Sequence, residues 1–455
     1  MADVTAARRA AFKILLAVER GKVHADELLR ERAVSALAQA DRNLATTLVL
    51  GVLRWQLRLD AEIRNYLAKP NAKLDAEVLI ALRMGAFQLL HLDRIPAHAA
   101  IGESVELAKQ AGHRFAAGMV NAVLRKIGIA LSRPQDEGTG WEAEQAHPAW
   151  LVERWEKFYG DETTRAICRH GQQQPELAVR LVDPVAEREL VDEGVTLAPG
   201  RLLADARIVT AGDVTATEAV RSGRVRIQDE GSQLIAEIAA ASRPGTDLVQ
   251  KVKGIFDACA APGGKTMILA ERNPEARIVA CESSAQRLAA LRERLTGFGD
   301  RIECRLADAA ALSEIGAYDV ALVDVPCSGT GTLGRNPEIR HRLRVEDLER
   351  QAERQKAILR AAIRAVRPGG RIVYSTCSLE PEENEQVVDA ELAEMPDAHL
   401  NSLGPRIDDL LSSGVLTREG AEHLHGCLTP EGGLRLIPGA LGTDGFFVAL
   451  IEKAD

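Results

Sequence analysis

From about Gly231 onward the chain alternates short apolar runs, each stopped by an acidic or small polar residue, with stretches of helical periodicity. The runs are Gly254-Ile-Phe-Asp257, Ile278-Val-Ala-Cys-Glu282, Ile302 to Asp308, Asp319-Val-Ala-Leu-Val-Asp324 and Arg371-Ile-Val-Tyr-Ser375, followed by Gly445-Phe-Phe-Val-Ala-Leu450. The clearest intervening helix is expected over Val345 to Val366, closed by Pro368-Gly369-Gly370. Strands this apolar, separated by helices, must be covered on both faces, which calls for a mainly parallel sheet. Open sheets of this kind bind ligands beyond the carboxyl ends of their strands, where Glu282, Asp308 and Asp324 would gather.

The preceding residues follow other rules. Leu44, Leu48, Val52, Trp55 and Leu59 recur at helical spacing, as do Val78, Leu82, Gly85 and Leu89, and then Val120, Val123, Leu124 and Ile127. These stripes predict an all-helical domain over 1–135. Turn-forming residues between Leu131 and Pro148 predict a linker. A helix-like stretch from Leu151 to Cys168 precedes β-like runs at Ala178-Val-Arg-Leu-Val182 and Arg224-Val-Arg-Ile-Gln228, which together predict a small α+β module over 149–232. The fold class is therefore multidomain: an all-α N-terminal domain, an α+β middle module and an α/β Rossmann-like C-terminal domain over 233–455.

Charge bears on partners. The whole chain carries −9, but residues 1–130 hold 19 Lys and Arg against 13 Asp and Glu. A basic first domain on an acidic protein is compatible with nucleic-acid binding, and equally with solvated helix surface. No apolar run approaches the roughly 20 residues a membrane helix needs, and charges throughout the first 20 residues argue against a signal peptide. Seven cysteines without paired spacing fit a reducing compartment, so a cytoplasmic location is expected.

Asp257-Ala-Cys-Ala-Ala-Pro-Gly-Gly-Lys-Thr266 follows the first strand and opens a helix. Small residues let the backbone turn tightly and approach a ligand, while the helix start offers free N–H groups. Glu282 lies 18 residues beyond Gly264, where a Rossmann-type unit presents a carboxylate to ribose hydroxyls. Gly264-Lys265-Thr266 also matches the tail of a phosphate-binding loop, but Cys259 stands where that loop needs glycine and Pro262 occupies the loop itself. Cys259 and Ala260 read as small residues first.

Two cysteines sit at strand ends, in Asp324-Val-Pro-Cys327-Ser-Gly-Thr-Gly331 and in Tyr374-Ser-Thr-Cys377-Ser-Leu-Glu-Pro381. No Cys-x-x-Cys pair and no histidine spacing supports a metal site. Either thiol could be a small buried hydrophobe. Polar flanks make that less attractive for these two than for Cys281 or Cys304, which lie inside strands.

The three runs beginning at Asp257, Asp324 and Tyr374, the last extended through Glu382-Glu-Asn-Glu385, resemble motifs I, IV and VI of the RNA 5-methylcytosine methyltransferases, the Sun/NOL/NOP group. Val49-Leu-Gly-Val-Leu-Arg-Trp55 and Val120-Asn-Ala-Val-Leu-Arg125 are similar to the NusB-like domain of the RsmB branch. The resemblance spans nearly the whole chain and is weakest over 135–225. It implies S-adenosylmethionine as cofactor, held by Cys259, Ala260, Ala261, Pro262, Gly263, Gly264 and Lys265 with Glu282, Asp308 and Asp324. It also implies catalysis by Cys377 as nucleophile at C6 of a cytosine, Cys327 in product release, and Asp324 at the target base. In DNA cytosine methyltransferases the Pro-Cys cysteine is instead the nucleophile.

A thiol is needed because C5 of cytosine is too poor a nucleophile to take a methyl group until addition at C6 enriches it. Small-subunit ribosomal RNA is the implied partner, with no metal, no membrane and a monomeric enzyme. The basic run Arg335, Arg340, His341, Arg342 and Arg344, and the set Arg221, Arg224 and Arg226, are candidates for phosphate contacts. Two other readings compete: a non-catalytic RNA-binding assembly factor on the same fold, and a P-loop-like NTPase.

Overall fold

The computed structural model describes residues 4–21, 23–131, 146–240 and 252–455. Most of the expected linker, 132–145, lies outside the described residues. The chain forms two compact units, one of Met1–Gln174 with Leu333–Arg342 and one of Pro175–Thr332 with Leu343–Asp455.

The first unit is helical. Its long helix Gln39–Tyr66 packs on helices Ala6–Glu19 and Ala76–His91, the latter also meeting Ala97–Gln110 and Ala117–Leu131. The apolar stripes face inward: Leu48, Val52, Leu59, Val78, Leu82, Leu124 and Ile127 are all buried, while Leu44, Trp55 and Leu89 line the edge of that core. Two glycines set how closely the helices approach. A Cβ on Gly51 would overlap the Phe87 ring, and one on Gly85 would run into Leu124. The stretch expected as one helix from Leu151 to Cys168 is two, Ala149–Tyr159 and Asp161–Gln172. Gly160 adopts φ +78° between them, a conformation that no helix interior contains.

Most of the basic run of the C-terminal half lies inside this helical unit, and its charges turn inward. Arg340, 1% exposed, donates to the carbonyls of Arg54, Ala146, Gly171 and Leu333 at 2.7–3.2 Å. His341 pairs with the Leu53 carbonyl, and Arg342 donates to those of Val18 and Val23. The expected phosphate contacts at Arg340, His341 and Arg342 are therefore corrected: these donors are committed to main-chain carbonyls, whose burial unpaired would be costly.

The second unit holds two sheets. Strands β1 (Leu177–Leu181), β2 (Thr196–Pro199), β3 (Ala206–Ala211) and β4 (Val225–Ile227) form an antiparallel sheet in the order β2-β3-β1-β4. The larger sheet is built on β5 (Gly254–Asp257), β6 (Arg277–Glu282), β7 (Ile302–Leu306), β8 (Tyr318–Asp324) and β9 (Val366–Thr376), all parallel, in the order β7-β6-β5-β8-β9. Its edge is finished by β10 (Ala398–Asn401), β11 (Leu434–Leu436) and β12 (Phe446–Lys453), with β12 running antiparallel to β9. The strand order reverses between β5 and β8. That switch point opens a crevice at the strand carboxyl ends, flanked by Asp257 and Asp324.

Candidate active site

Asp257 ends β5 fully buried and accepts a hydrogen bond from Thr266 Oγ1 at 2.7 Å. Burial, reinforced by the nearby Asp324 charge, pushes its pKa up to about 7 despite that bond. The turn that follows is fastened by Ala260 N–H to the Cys281 carbonyl at 2.9 Å. It ends on Gly263 at φ +101°, where a Cβ would come within 2.9 Å of Leu291. Helix Gly264–Arg272 starts there and sends Lys265 back to Asp324, with Nζ to Oδ2 at 2.7 Å. Burial alone would lower the Lys265 pKa; the Asp324 carboxylate overrides it and holds the ammonium above its ordinary value. The other Asp324 oxygen accepts from Ser375 Oγ at 2.7 Å, the residue directly opposite it on β9.

Glu282 ends β6 and is 4% exposed. Its Oε1 accepts from Ser284 N–H at 2.7 Å and from Arg287 at 2.8 Å, while no described residue donates to Oε2. Asp308, two residues past β7, is exposed and accepts from Ala310 N–H at 3.1 Å.

Two loops bring the cysteines together. Cys327 follows β8, Cys377 follows β9, and their sulfurs stand 3.3 Å apart. The turns are tied by Gly331 N–H to the Cys377 carbonyl at 2.9 Å and, below, by the fully buried Glu383. Its Oε1 accepts from Ser328 N–H at 2.8 Å and Gln355 Nε2 at 3.0 Å; its Oε2 accepts from the Ser328 hydroxyl and from Ser378 Oγ at 2.5 Å. The hydrogen bond with Cys377, followed by burial, raises the Cys327 pKa well above the usual thiol value. Elsewhere burial pushes Cys168 and Cys281 up to about 12 and leaves both inert.

A cavity of about 200 Å³ receives Cys259, Ala261, Glu282, Asp308, Asp324, Cys327 and Cys377 together. Ala260, Pro262, Gly264 and Lys265 line a neighbouring cavity of about 430 Å³, which shares Cys259, Ala261 and Asp324 with the first. Gly263 lines neither, and its part is to turn the backbone. Among the described residues no group of three or more His, Cys, Asp and Glu could hold a metal ion.

With this geometry, comparison with known proteins is decisive. The Bacillus subtilis protein named "Probable ribosomal RNA small subunit methyltransferase B" is 33% identical over 99% of both chains. The Xanthomonas campestris ribosomal RNA small subunit methyltransferase B is also 33% identical, over 99% of this chain and 97% of that one. The chain belongs to the RsmB family of ribosomal RNA small subunit methyltransferases. The family model described as 16S rRNA methyltransferase RsmB/F matches residues 248–452, the NusB family residues 5–128, and an RsmF/B-like ferredoxin-like domain residues 147–207. The crystal structure of PH0851, 24% identical, superposes over 100% of both chains with a TM-score of 0.78, which shows the shared fold.

Three polar residues at this site escaped the sequence reading. Ser375 and Glu383 lie inside quoted motifs, but their partners become visible only once β8 and β9 are known to be neighbours. Arg354, on helix Val345–Ala365, lines the smaller cavity and carried no local signal. Of the candidate phosphate ligands in the middle module, Arg221, Arg224 and Arg226 are each ion-paired, with Glu218, Glu189 and Glu271.

Proposed function

We propose that this enzyme methylates C5 of a cytosine in small-subunit ribosomal RNA, taking the methyl group from S-adenosylmethionine and using Cys377 as a covalent nucleophile. The observation that carries this reading is the pair of sulfurs, 3.3 Å apart, opening into the same cavity as Glu282, Asp308 and Asp324. A binding protein has no use for two apposed thiols, which disfavours the assembly-factor alternative. An NTPase would need a phosphate cradle that Cys259 and Pro262 do not provide.

The residues fit the cofactor. The unpartnered Glu282 Oε2 and the exposed Asp308 carboxylate are acceptors suited to hydroxyl or amine donors, and the turn 258–263 lets the backbone come close. When bound, S-adenosylmethionine supplies an electrophilic methyl group. Cys377 adds to C6, forming the S–C6 bond and moving the C5–C6 electron pair toward C5, which takes the methyl. Asp324, fixed by Lys265 and Ser375, stands ready to accept a hydrogen bond from an N–H of the base and so to orient the ring for attack. The C5 proton then passes to solvent, its bonding pair restores the C5–C6 double bond, and the electron pair of the S–C6 bond returns to the Cys377 sulfur. Cys327, which holds its proton, assists this release. Residues 1–135 and 149–232 serve RNA docking, and the free cysteines suit a reducing cytoplasm. Among the described residues no helix is long and apolar enough to cross a membrane.

The test pairs two variants. Cys377→Ala should abolish methylation, whereas Cys327→Ala should leave a protein–RNA adduct that survives a denaturing gel. Exchanged outcomes would move the nucleophile to Cys327. Bisulfite mapping of ribosomal RNA with and without the enzyme identifies the cytosine, and no protected position would refute the C5 chemistry.

A further inference from the structure

One wall of the larger cavity, about 430 Å³, is the turn and Lys265 assigned above, but the opposite wall, formed by Val225, Arg226, Ile227 and Gln228 with Arg294, has no task in that chemistry. Neither catalytic sulfur lines it; both open into its smaller neighbour. A cytosine seated against Cys377 therefore leaves the space beside residues 225–228 and Arg294 unassigned. Asp324 lines both cavities, so whatever fills the larger one lies next to the target base.

Its walls carry three unused polar groups. Arg294 makes no hydrogen bond or ion pair among the described residues and is exposed toward solvent. Gln228 is held through Nε2 by Ser232 Oγ at 3.2 Å, which leaves its buried Oε1 without a donor. Arg226 is anchored on Glu271 at 2.7 Å, while its buried Nε has no acceptor. Val225, Ile227 and Met267 supply apolar surface beside them. A free cation, a fixed amide acceptor and an apolar wall match the three parts of a nucleotide: its phosphate, its base edge and its base face.

We propose that this cavity binds the ribonucleotide directly adjacent to the target cytosine, with its phosphate on Arg294 and a base N–H on Gln228 Oε1. The inference rests on the methylation reading and adds a sequence-reading site to it. The site would select bases with an N–H donor on the presented edge, so that context next to the cytosine contributes to substrate choice.

The test uses the full-length enzyme and a labelled synthetic RNA hairpin carrying the cytosine located by bisulfite mapping. Three hairpins are compared: intact, abasic on the 5′ side, and abasic on the 3′ side. Binding is read by anisotropy and methyl transfer by incorporated label. One abasic hairpin, and not the other, should bind about tenfold more weakly or worse. Gln228→Met should weaken the intact hairpin and erase most of its advantage over that abasic one. Arg294→Met should raise KM by about tenfold with kcat kept, and should lower the slope of log affinity against log salt by about one.

Equal losses from both abasic hairpins in wild type and Gln228→Met, or an Arg294→Met enzyme with unaltered KM and salt slope, would overturn the assignment. A wild-type reaction that yields methylated RNA without 5-methylcytosine would instead overturn the methylation reading beneath it.

Discussion

Glu383 is the residue whose replacement tests most sharply how the two cysteine turns are held. One buried carboxylate takes four donors, from Ser328 N–H, the Ser328 hydroxyl, Ser378 Oγ and Gln355 Nε2. Ser328 and Ser378 are the residues immediately after Cys327 and Cys377, so the carboxylate links the two turns through their neighbours. Glu383→Ala would strand these donors without solvent. At about 1–3 kcal/mol for each unsatisfied group, and allowing the hydroxyls to rotate toward other acceptors, the loss should be about 3–5 kcal/mol. Glu383→Gln keeps the length and one acceptor, and rotating hydroxyls can accept from its amide, so about 1–2 kcal/mol is expected. Urea denaturation of the full-length protein measures both. Single-turnover methylation at a temperature where both variants stay folded separates alignment from stability: Glu383→Gln should slow the chemical step more than tenfold while KM changes little. A folded Glu383→Gln enzyme with wild-type turnover would refute the claim that this carboxylate sets the spacing of the sulfurs.

Three further outcomes follow from the packing and electrostatics. Gly51→Ala should destabilise the helical unit by about 1–3 kcal/mol, seen as a lowered Tm, because its methyl meets the Phe87 ring. Arg340→Lys keeps the charge but cannot span four carbonyls, so it should cost about 2–4 kcal/mol in a urea titration followed by fluorescence of the fully buried Trp155. Asp257 has its folded pKa raised from 3.8 to about 7, so the native state retains a proton that the unfolded chain releases between those values. Stability from this group is full below about pH 4 and lost as pH rises toward 7, on the order of 4 kcal/mol; the stability gap between Asp257→Asn and wild type should therefore widen in the variant's favour from pH 5 to pH 8, and a pH-independent gap would contradict it.

Legibility in the sequence followed the environment of each element. The parallel strands were readable because strands buried on both faces are apolar throughout and stop at the acids beyond them; β5 falls on the expected Gly254–Asp257 without adjustment. The short strands β2, β3, β10 and β11 were not, since they pair antiparallel at or near sheet edges and carry no long apolar run. The break at Gly160 was missed because the apolar period continues across it, from Trp155 to Ile167, although the helix axis does not. The basic run failed for a different reason. Charge in a sequence states what a side chain carries, not which way it turns, and Arg340 turns toward four carbonyls that would otherwise lie buried without donors.

The candidate site shows the same division. Asp257, Glu282 and Asp324 were visible because each ends a strand, and Asp308 because it follows one closely, but the relation between the cysteines was not, since 50 residues separate them. Register supplies it. Asp324 stands opposite Ser375 across β8 and β9, so chains leaving the two strands at the same level bring Cys327 and Cys377 face to face. Cys327 hydrogen-bonds the other sulfur and lies near the Glu383 carboxylate, and both effects, with burial, keep its proton in place. Two thiols packed this closely cannot both carry charge, because the second would be ionised against the first in a site with little water. On the reading proposed above, Cys377 is the sulfur that attacks, and the thiol of Cys327, 3.3 Å away, already stands beside the S–C6 bond that has to break at the end of the reaction.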